Sequence, residues 1–432
     1  MPTNSTSSEG LVRGIRKWDL VAVTINGIIG AGIFGLPSKV YSLIGSYSLI
    51  AFVVCALVVM LIILCFAEVG SRFERTGGPY LYAQEAFGST VAFEVGWLIW
   101  LARLTAFAAN CNLMINYLSF FWTPANNGMT RVAIVVAVVL ALTLLNVLGV
   151  RQAAIASNLF TIGKLVPMLI FIAVGLFFLN PKAYALGAPP STGAFSQSVL
   201  LLLYAFTGFE MAAIPAGEIR DPQKHLPRAL LIAMAVIAFT YILIQVVCIG
   251  TLPGLASSTK PLADAGTQFM GTVGGAIISA GAIISVAGNL NITVLSASRV
   301  PFAMAEQKQL PGIFARVHPR FFTPDLSIAV TAVLMLVLTL TSTFVAALTI
   351  STIARLVAYA VTCAALPVLR RRSAAPKALF HLPGGTAIAV AALILSGWLL
   401  ANSTLKEGIQ SAIAAVVGLA IYFGYRLVKR WQ

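Results

Sequence analysis

Charged side chains are scarce in this 432-residue chain: Asp, Glu, Lys and Arg together make up 9% of it, and only 13 residues are acidic. A soluble domain carries roughly a quarter charged residues, so the bulk of the chain is not one. Histidine is nearly missing. His225, His318 and His381 all fall in polar segments between apolar runs, without metal-ligand spacing. A membrane enzyme would need convergent acids, bases, nucleophiles or metal ligands, and none is visible; no cofactor is expected. Cysteine is sparse and odd in number. Cys55, Cys65, Cys111, Cys248 and Cys363 lie in apolar runs, so neither a disulfide framework nor a zinc spacing follows, and they read as small buried hydrophobes. The first 17 residues are polar and carry no cleavable signal pattern, and the first apolar run is too long for one.

What the chain has is apolar length. Residues of the hydrophobic set make up 59%, and runs near the roughly 20 residues needed to span a bilayer recur throughout. Twelve are expected, near 18–44, 47–70, 92–121, 129–149, 155–179, 196–217, 227–251, 272–304, 326–343, 345–369, 385–403 and 407–427. The expected fold class is an all-α membrane protein with no separate soluble domain. The lipid bilayer is then its first partner.

The formal net charge of +15 follows this pattern. With the N-terminus inside, 19 of the 28 Lys and Arg lie in inner tails and loops and five (Lys39, Arg131, Lys182, Lys260, Lys406) lie outside. Arg103, Lys164, Arg299 and Arg355 remain within spans. That is the positive-inside asymmetry. The basic excess orients the chain with both termini cytoplasmic and calls for no nucleic acid. Nothing in the pattern specifies an oligomer.

Within the first run stands Asn26-Gly27-Ile28-Ile29-Gly30-Ala31-Gly32-Ile33-Phe34-Gly35. Glycine favours interruption of a helix, and peptide groups freed in a bilayer must find partners. In transporters built from inverted repeats, such breaks partner the solute and recur at corresponding positions of the two halves. The counterpart is Tyr204-Ala205-Phe206-Thr207-Gly208-Phe209-Glu210 in the sixth run. An odd number of spans per half inverts the second half. The expected organisation is a tail (1–17), a transport core (18–369, halves 18–179 and 196–369), a cytoplasmic loop (370–384) and two outlying helices with a short tail (385–432).

Gly30-x-Gly32-x-x-Gly35 matches the dinucleotide fingerprint in letters only, because membrane-length helix flanks it and no acid follows until Glu68. Close helix packing through small residues is a competing role. A half-helix N-terminus aimed at an anionic group is the other. The loops Gly217–Arg228 and Glu306–Asp325 are rich in proline and mixed charge; they read as solvated inner loops or as gating hinges.

The Gly30-Ala31-Gly32-Ile33-Phe34 break, Phe206-Thr207-Gly208-Phe209-Glu210 and the loop Gly217-Glu218-x-x-Asp221-Pro222-x-Lys224-x-x-Pro227-Arg228 together resemble the amino acid–polyamine–organocation superfamily over about the first ten spans. The resemblance implies the LeuT-type five-plus-five inverted-repeat fold with helices 1 and 6 broken, alternating access, and an amino-acid zwitterion held mid-membrane. It implies that the carboxylate meets amides around Gly30, Ala31 and Gly32. The ammonium would meet carbonyls near Ile28 and in Tyr204, Ala205, Phe206 and Thr207, with Tyr204 or Phe206 as an aromatic gate. Phe107 and Asn291 would line the site.

Four ionisable groups carry the rest. Glu210 lies well inside a span, where a carboxylate costs about 2.5–3.5 kcal/mol on insertion scales; it is expected to pair and hold the break, or to couple protons. Lys164, in Phe160-Thr161-Ile162-Gly163-Lys164, either snorkels to the surface or takes the role that the resemblance implies. A span-5 lysine there replaces a sodium ion, reaching the backbone near Asn26 and the span-8 face around Ser285. Burial penalises a charged amine, which would let it cycle its charge. Proton coupling without sodium is therefore expected. Arg103 departs from the small or uncharged residues that the family places on span 3. It either neutralises Glu210 or bonds helix carbonyls, or it binds an anionic group in a bidentate fork. Arg355, in span 10, lines the same pathway. Asn110, Asn112, Asn289 and Thr293 are expected as interhelical glue.

The expected activity is secondary transport of an amino acid across the inner membrane, as a proton symporter. The alternatives are an obligate exchanger and a carrier for an acidic amino acid or small carboxylate. A channel would want a continuous polar lining rather than two broken helices.

Overall fold

The computed structural model describes residues 15–75, 77–148, 164–214, 216, 219–321 and 323–430. The Lys164 flank (149–163), Gly217 and Glu218 lie outside them. Apart from one isolated parallel bridge between Ile15 and Ile219, the regular structure among the described residues is helical.

The helices are α1 (Lys17–Ile28), α2 (Gly32–Ile44), α3 (Ser48–Gly70), α4 (Pro79–Phe87), α5 (Ser89–Leu118) and α6 (Gly128–Leu148). The described part of α7 is Lys164–Phe178. They continue with α8 (Thr192–Phe206), α9 (Glu210–Ala213), α10 (Pro222–Thr251), α11 (Pro261–Glu306), α12 (Asp325–Thr341), α13 (Phe344–Arg371), α14 (Gly385–Ala401) and α15 (Leu405–Arg430). Among the described residues, seven helical stretches are long and apolar enough to cross a membrane, and four further apolar helices are shorter. The chain is a multi-pass membrane protein.

The helices depart from expectation in places. The run expected at 272–304 begins at Pro261 and bends at Gly271, whose φ of +67° is open to glycine. A short helix, α4, also stands between the second and third runs, opened by Pro79 at its first position.

Both expected breaks are present. After α1, Ile29 turns extended (φ −71°, ψ 92°) before α2 begins. After α8, Thr207 is extended and Gly208 takes φ +112°. The glycines let the two breaks touch. A Cβ on Gly32 would lie 2.6 Å from Cα of Ala205, and one on Gly208 would collide with the Gly27 carbonyl. Neither position has room for a side chain, so glycine serves here in close backbone packing as well as in breaking the helix.

Burial sorts the helices into core and rim. In α5, 78% of the best apolar window is buried, against 17% in α6 and 11% in the last span. Large apolar side chains such as Leu144 and Val416 stay exposed on these outer helices, which is how a lipid-facing surface is built. At the arginine-rich end, Arg370 on α13 grips both oxygens of fully buried Glu68 on α3 at 2.7 and 2.6 Å. The Leu382 amide also donates to Glu68, at 2.9 Å. One bidentate charge pair thus ties α3, α13 and the segment leading into α14.

Candidate functional site

The two breaks enclose a narrow cavity of about 30 Å³, room for about one water. Its wall has four parts. The first break supplies Gly27, Ile28, Gly30 and Gly32, and the second supplies Tyr204, Thr207, Gly208 and Met211. From α5 come Arg103, Ala106 and Asn110; from α11 and α13 come Asn289, Thr293, Ser296 and Arg355. Arg103, Ala106 and Asn110 recur at i, i+3 and i+7, as do Asn289, Thr293 and Ser296 at i, i+4 and i+7, so each set occupies one helix face.

An amide network sits at the N-terminal end of α2, where the first N–H groups have no partner within the helix. Asn110 Oδ1 accepts from the Tyr204 hydroxyl at 2.8 Å and from the Ala31 amide at 3.4 Å. Asn110 Nδ2 donates to Asn289 Oδ1 at 2.7 Å. A side-chain carbonyl oxygen therefore already rests against the positive end of α2, the position suited to an acceptor.

Glu210 is fully engaged. One of its oxygens lies 3.2 Å from Arg355 Nη1. The other accepts from the Gly208 amide at 2.9 Å and from the Tyr359 hydroxyl. It thus ties the second break to α13.

Arg103 makes no such bond among the described residues. Its side chain is 3% exposed, and its Nε, Nη1 and Nη2 have no hydrogen-bond partner among the described residues. A buried guanidinium has five donors to satisfy, and leaving them unmet costs free energy. This one lines the cavity. Of the roles expected for Arg103, neither a direct bond to Glu210 nor one to a helix carbonyl is made among the described residues.

Lys164 Nζ donates to the carbonyls of Asn26 at 3.0 Å and Ile29 at 3.1 Å. It is buried, so snorkelling to the surface gives way to contact with the first break. Ser285 is buried as well, but its Oγ has no partner among the described residues and makes no bond to Lys164.

The structure therefore brings Ile28, Gly30, Gly32, Arg103, Tyr204, Thr207 and Arg355 to one cavity, with Ala31 bonded at its edge. Others fall elsewhere. Phe206 packs on Phe52 and Tyr241, at centroid distances of 6.5 and 5.2 Å. Between the two candidate aromatics, it is Tyr204 that faces the cavity. Phe107 is wholly buried off the wall, and Ala205 serves as the surface on which Gly32 packs. Asn291 accepts from Asn146 Nδ2 at 3.1 Å and does not line the cavity; Asn289 does. At about 100° per residue, two positions along α11 lie on opposite faces, so Asn289 faces the cavity and the expected Asn291 does not. Tyr359, Met211 and Ser296 were not foreseen. The seven-residue interval from Arg103 to Asn110 was the available signal for Asn110 as part of the wall.

Residues 15–423 match the family model described as "Amino acid permease". The serine/threonine exchanger SteT of Bacillus subtilis is 29% identical over 435 residues, covering 98% of this chain and 99% of that protein. The methylthioribose transporter of the same organism is 26% identical, covering 97% and 95%. The branched-chain amino acid permease BcaP, also of B. subtilis, is 26% identical, covering 98% and 95%.

Proposed function

The chain belongs to the amino acid permease family, within the amino acid–polyamine–organocation superfamily, and from that premise we propose that it carries a small amino acid bearing an anionic side chain, or a related carboxylate, by alternating access. The carrying observation is Arg103, a buried guanidinium without a partner among the described residues, on the wall of the cavity between the two breaks. An anionic side-chain group would complete its donors with a bidentate fork. The α-carboxylate would take the acceptor position at the start of α2 now held by Asn110 Oδ1. The ammonium would meet carbonyls of the breaks.

The present cavity is too small for an amino acid. Binding therefore requires α1 or α9 to move away from α5 and α11, as a rocking mechanism demands. The relatives' names span hydroxylated amino acids, branched-chain amino acids and a thiosugar, so solute class differs among proteins similar to this one. In this chain Arg103 is the residue that sets it.

The same reading takes the fold as LeuT-type, with twelve crossings. These are α1–α2 and α8–α9 as the two broken spans, α3, α5, α6, α7, α10, α12, α13, α14 and α15, and the part of α11 beyond Gly271. It places the protein in the inner membrane with both termini cytoplasmic, as the distribution of basic residues favours. For coupling, Lys164 supports proton symport without sodium. An ammonium bonded to carbonyls of the first break occupies space that a coupling cation would otherwise fill. Obligate exchange is the second reading, favoured by similarity to an exchanger over nearly the whole chain.

The test is uptake into proteoliposomes. L-Aspartate and L-glutamate should compete with a labelled acidic amino acid far better than L-alanine, L-serine or L-leucine, and a sodium-free buffer should not reduce the rate. Preference for neutral amino acids would overturn the solute assignment. Ohmic current without saturable counterflow would overturn the carrier.

A further inference from the structure

A second cavity, of about 490 Å³, lies one helical turn beyond the first and away from the arginine-rich end. On α2 the wall passes from Gly32 in the central cavity to Gly35 and Lys39 in this one; on α5 it passes from Asn110 to Leu113 and Asn116. Among the described residues no acid lines it, whereas two cations do. Lys39 is half-buried, and its ammonium has no partner among the described residues. The Arg131 guanidinium is held in place by Asn112 Oδ1 and by the Thr339 carbonyl at 3.3 Å. Asn112 in turn donates to the Ser342 carbonyl at 3.0 Å. Helix α13 also begins on this wall, its first turn capped by Thr343, and a helix N-terminus adds positive potential. Across Thr259, a neighbouring depression carries Lys260 together with Asp264, whose Oδ2 is taken by Ser258 at 2.6 Å. The basin itself is a cationic bowl.

On the wall of this cavity, Phe344 packs against Gly35, one turn along α2 from the Gly32 of the central cavity. Its ring fills the space that a Cβ on Gly35 would need, with ring carbons 2.8 Å from that position, and Leu113 closes the same spot at 2.9 Å. We propose that this basin is an antechamber: Lys39 and Arg131 capture the anionic group of an incoming solute, which then passes the Phe344 ring to reach Arg103. The inference rests on the anionic-solute reading above. Two cations in a concave wall concentrate anions and speed their entry without adding to central affinity.

The experiment is counterflow of labelled L-glutamate by the full chain in proteoliposomes, at low and high ionic strength. The variants are K39Q/R131Q, the charge-retaining K39R/R131K, and K182Q as a control on an exposed cation outside the basin. The double glutamine variant should raise KM roughly tenfold at low salt, with the maximal rate within about twofold of wild type. Wild-type KM should climb as salt is added, while that of K39Q/R131Q stays flat. K39R/R131K should restore both, separating lost charge from lost folding. Should the double variant fail to reach the membrane, K39Q alone carries the test with a threefold rise, because its ammonium holds nothing in place. Unchanged KM and salt response in K39Q/R131Q, with glutamate carried and sensitive to R103A, would overturn the antechamber alone. Absence of glutamate transport by wild type would overturn the anionic-solute reading and the antechamber with it.

Discussion

Arg355 Nη1 on α13 lies 3.2 Å from Glu210 Oε1 on α9, and this pair leaves the Arg103 guanidinium on the cavity wall without a hydrogen-bond partner among the described residues. Glu210 is spent on structure, because its second oxygen fixes the Gly208 amide at the break. Two guanidinium groups facing one carboxylate leave one positive charge over, and on the proposed function that excess would favour an anionic solute.

Removing Glu210 should cost folding before it costs transport. Glu210→Ala leaves Arg355 unpaired, which in a buried pair costs about 3–5 kcal/mol. Thermal unfolding in detergent should show a large drop in midpoint. Tyr359→Phe removes one hydrogen bond to a charged group, about 1.5–3 kcal/mol, and should fall between that variant and wild type.

Glycine at the crossing of the breaks should resist even a methyl group. In Gly32→Ala the new Cβ would sit 2.6 Å from the Ala205 backbone, so the helices must separate. Gly208→Ala adds about 1–3 kcal/mol of backbone strain at φ +112°. Both should insert into the membrane and lose most uptake; wild-type rates in Gly32→Ala would contradict the close approach.

Lys164→Ala should abolish the pH dependence of uptake. Its ammonium bridges the Asn26 and Ile29 carbonyls, so a charge that comes and goes there changes how the first break is held. Initial rates across pH 5 to 8 check this. A profile in Lys164→Ala identical in shape to wild type would remove the lysine from coupling.

The Glu68 clamp should matter for stability and not for solute choice. Glu68→Gln removes the charge of a buried carboxylate gripped by partly exposed Arg370, and a loss of about 1.5–3 kcal/mol is expected. Substrate competition by the surviving folded protein should match wild type.

Much of this was legible in the chain because a bilayer makes rules strict. Glycine density at 27–35 and at Gly208 marked both breaks, since broken helices in lipid need a reason. Scarce charges drew attention to Arg103, Lys164, Glu210 and Arg355, all four of which prove buried. What escaped was orientation. Asn291 and Asn289 have equal chemistry, and only the rotation of α11 separates them. Glu68 stood near the end of its run, where an acid looks solvated until Arg370 is brought from 302 residues away. Tyr359 is one apolar-looking residue among many until α13 is laid against α9.

The most direct measurement is equilibrium binding of L-glutamate and L-alanine to purified protein, wild type and Arg103→Ala, by calorimetry. Glutamate should bind wild type at least tenfold tighter than alanine, a difference of about 1.4 kcal/mol, and the substitution should erase that margin while leaving alanine binding near its original value. Equal weakening of both ligands, or tighter binding of alanine to wild type, would contradict the assignment of Arg103 as the selector.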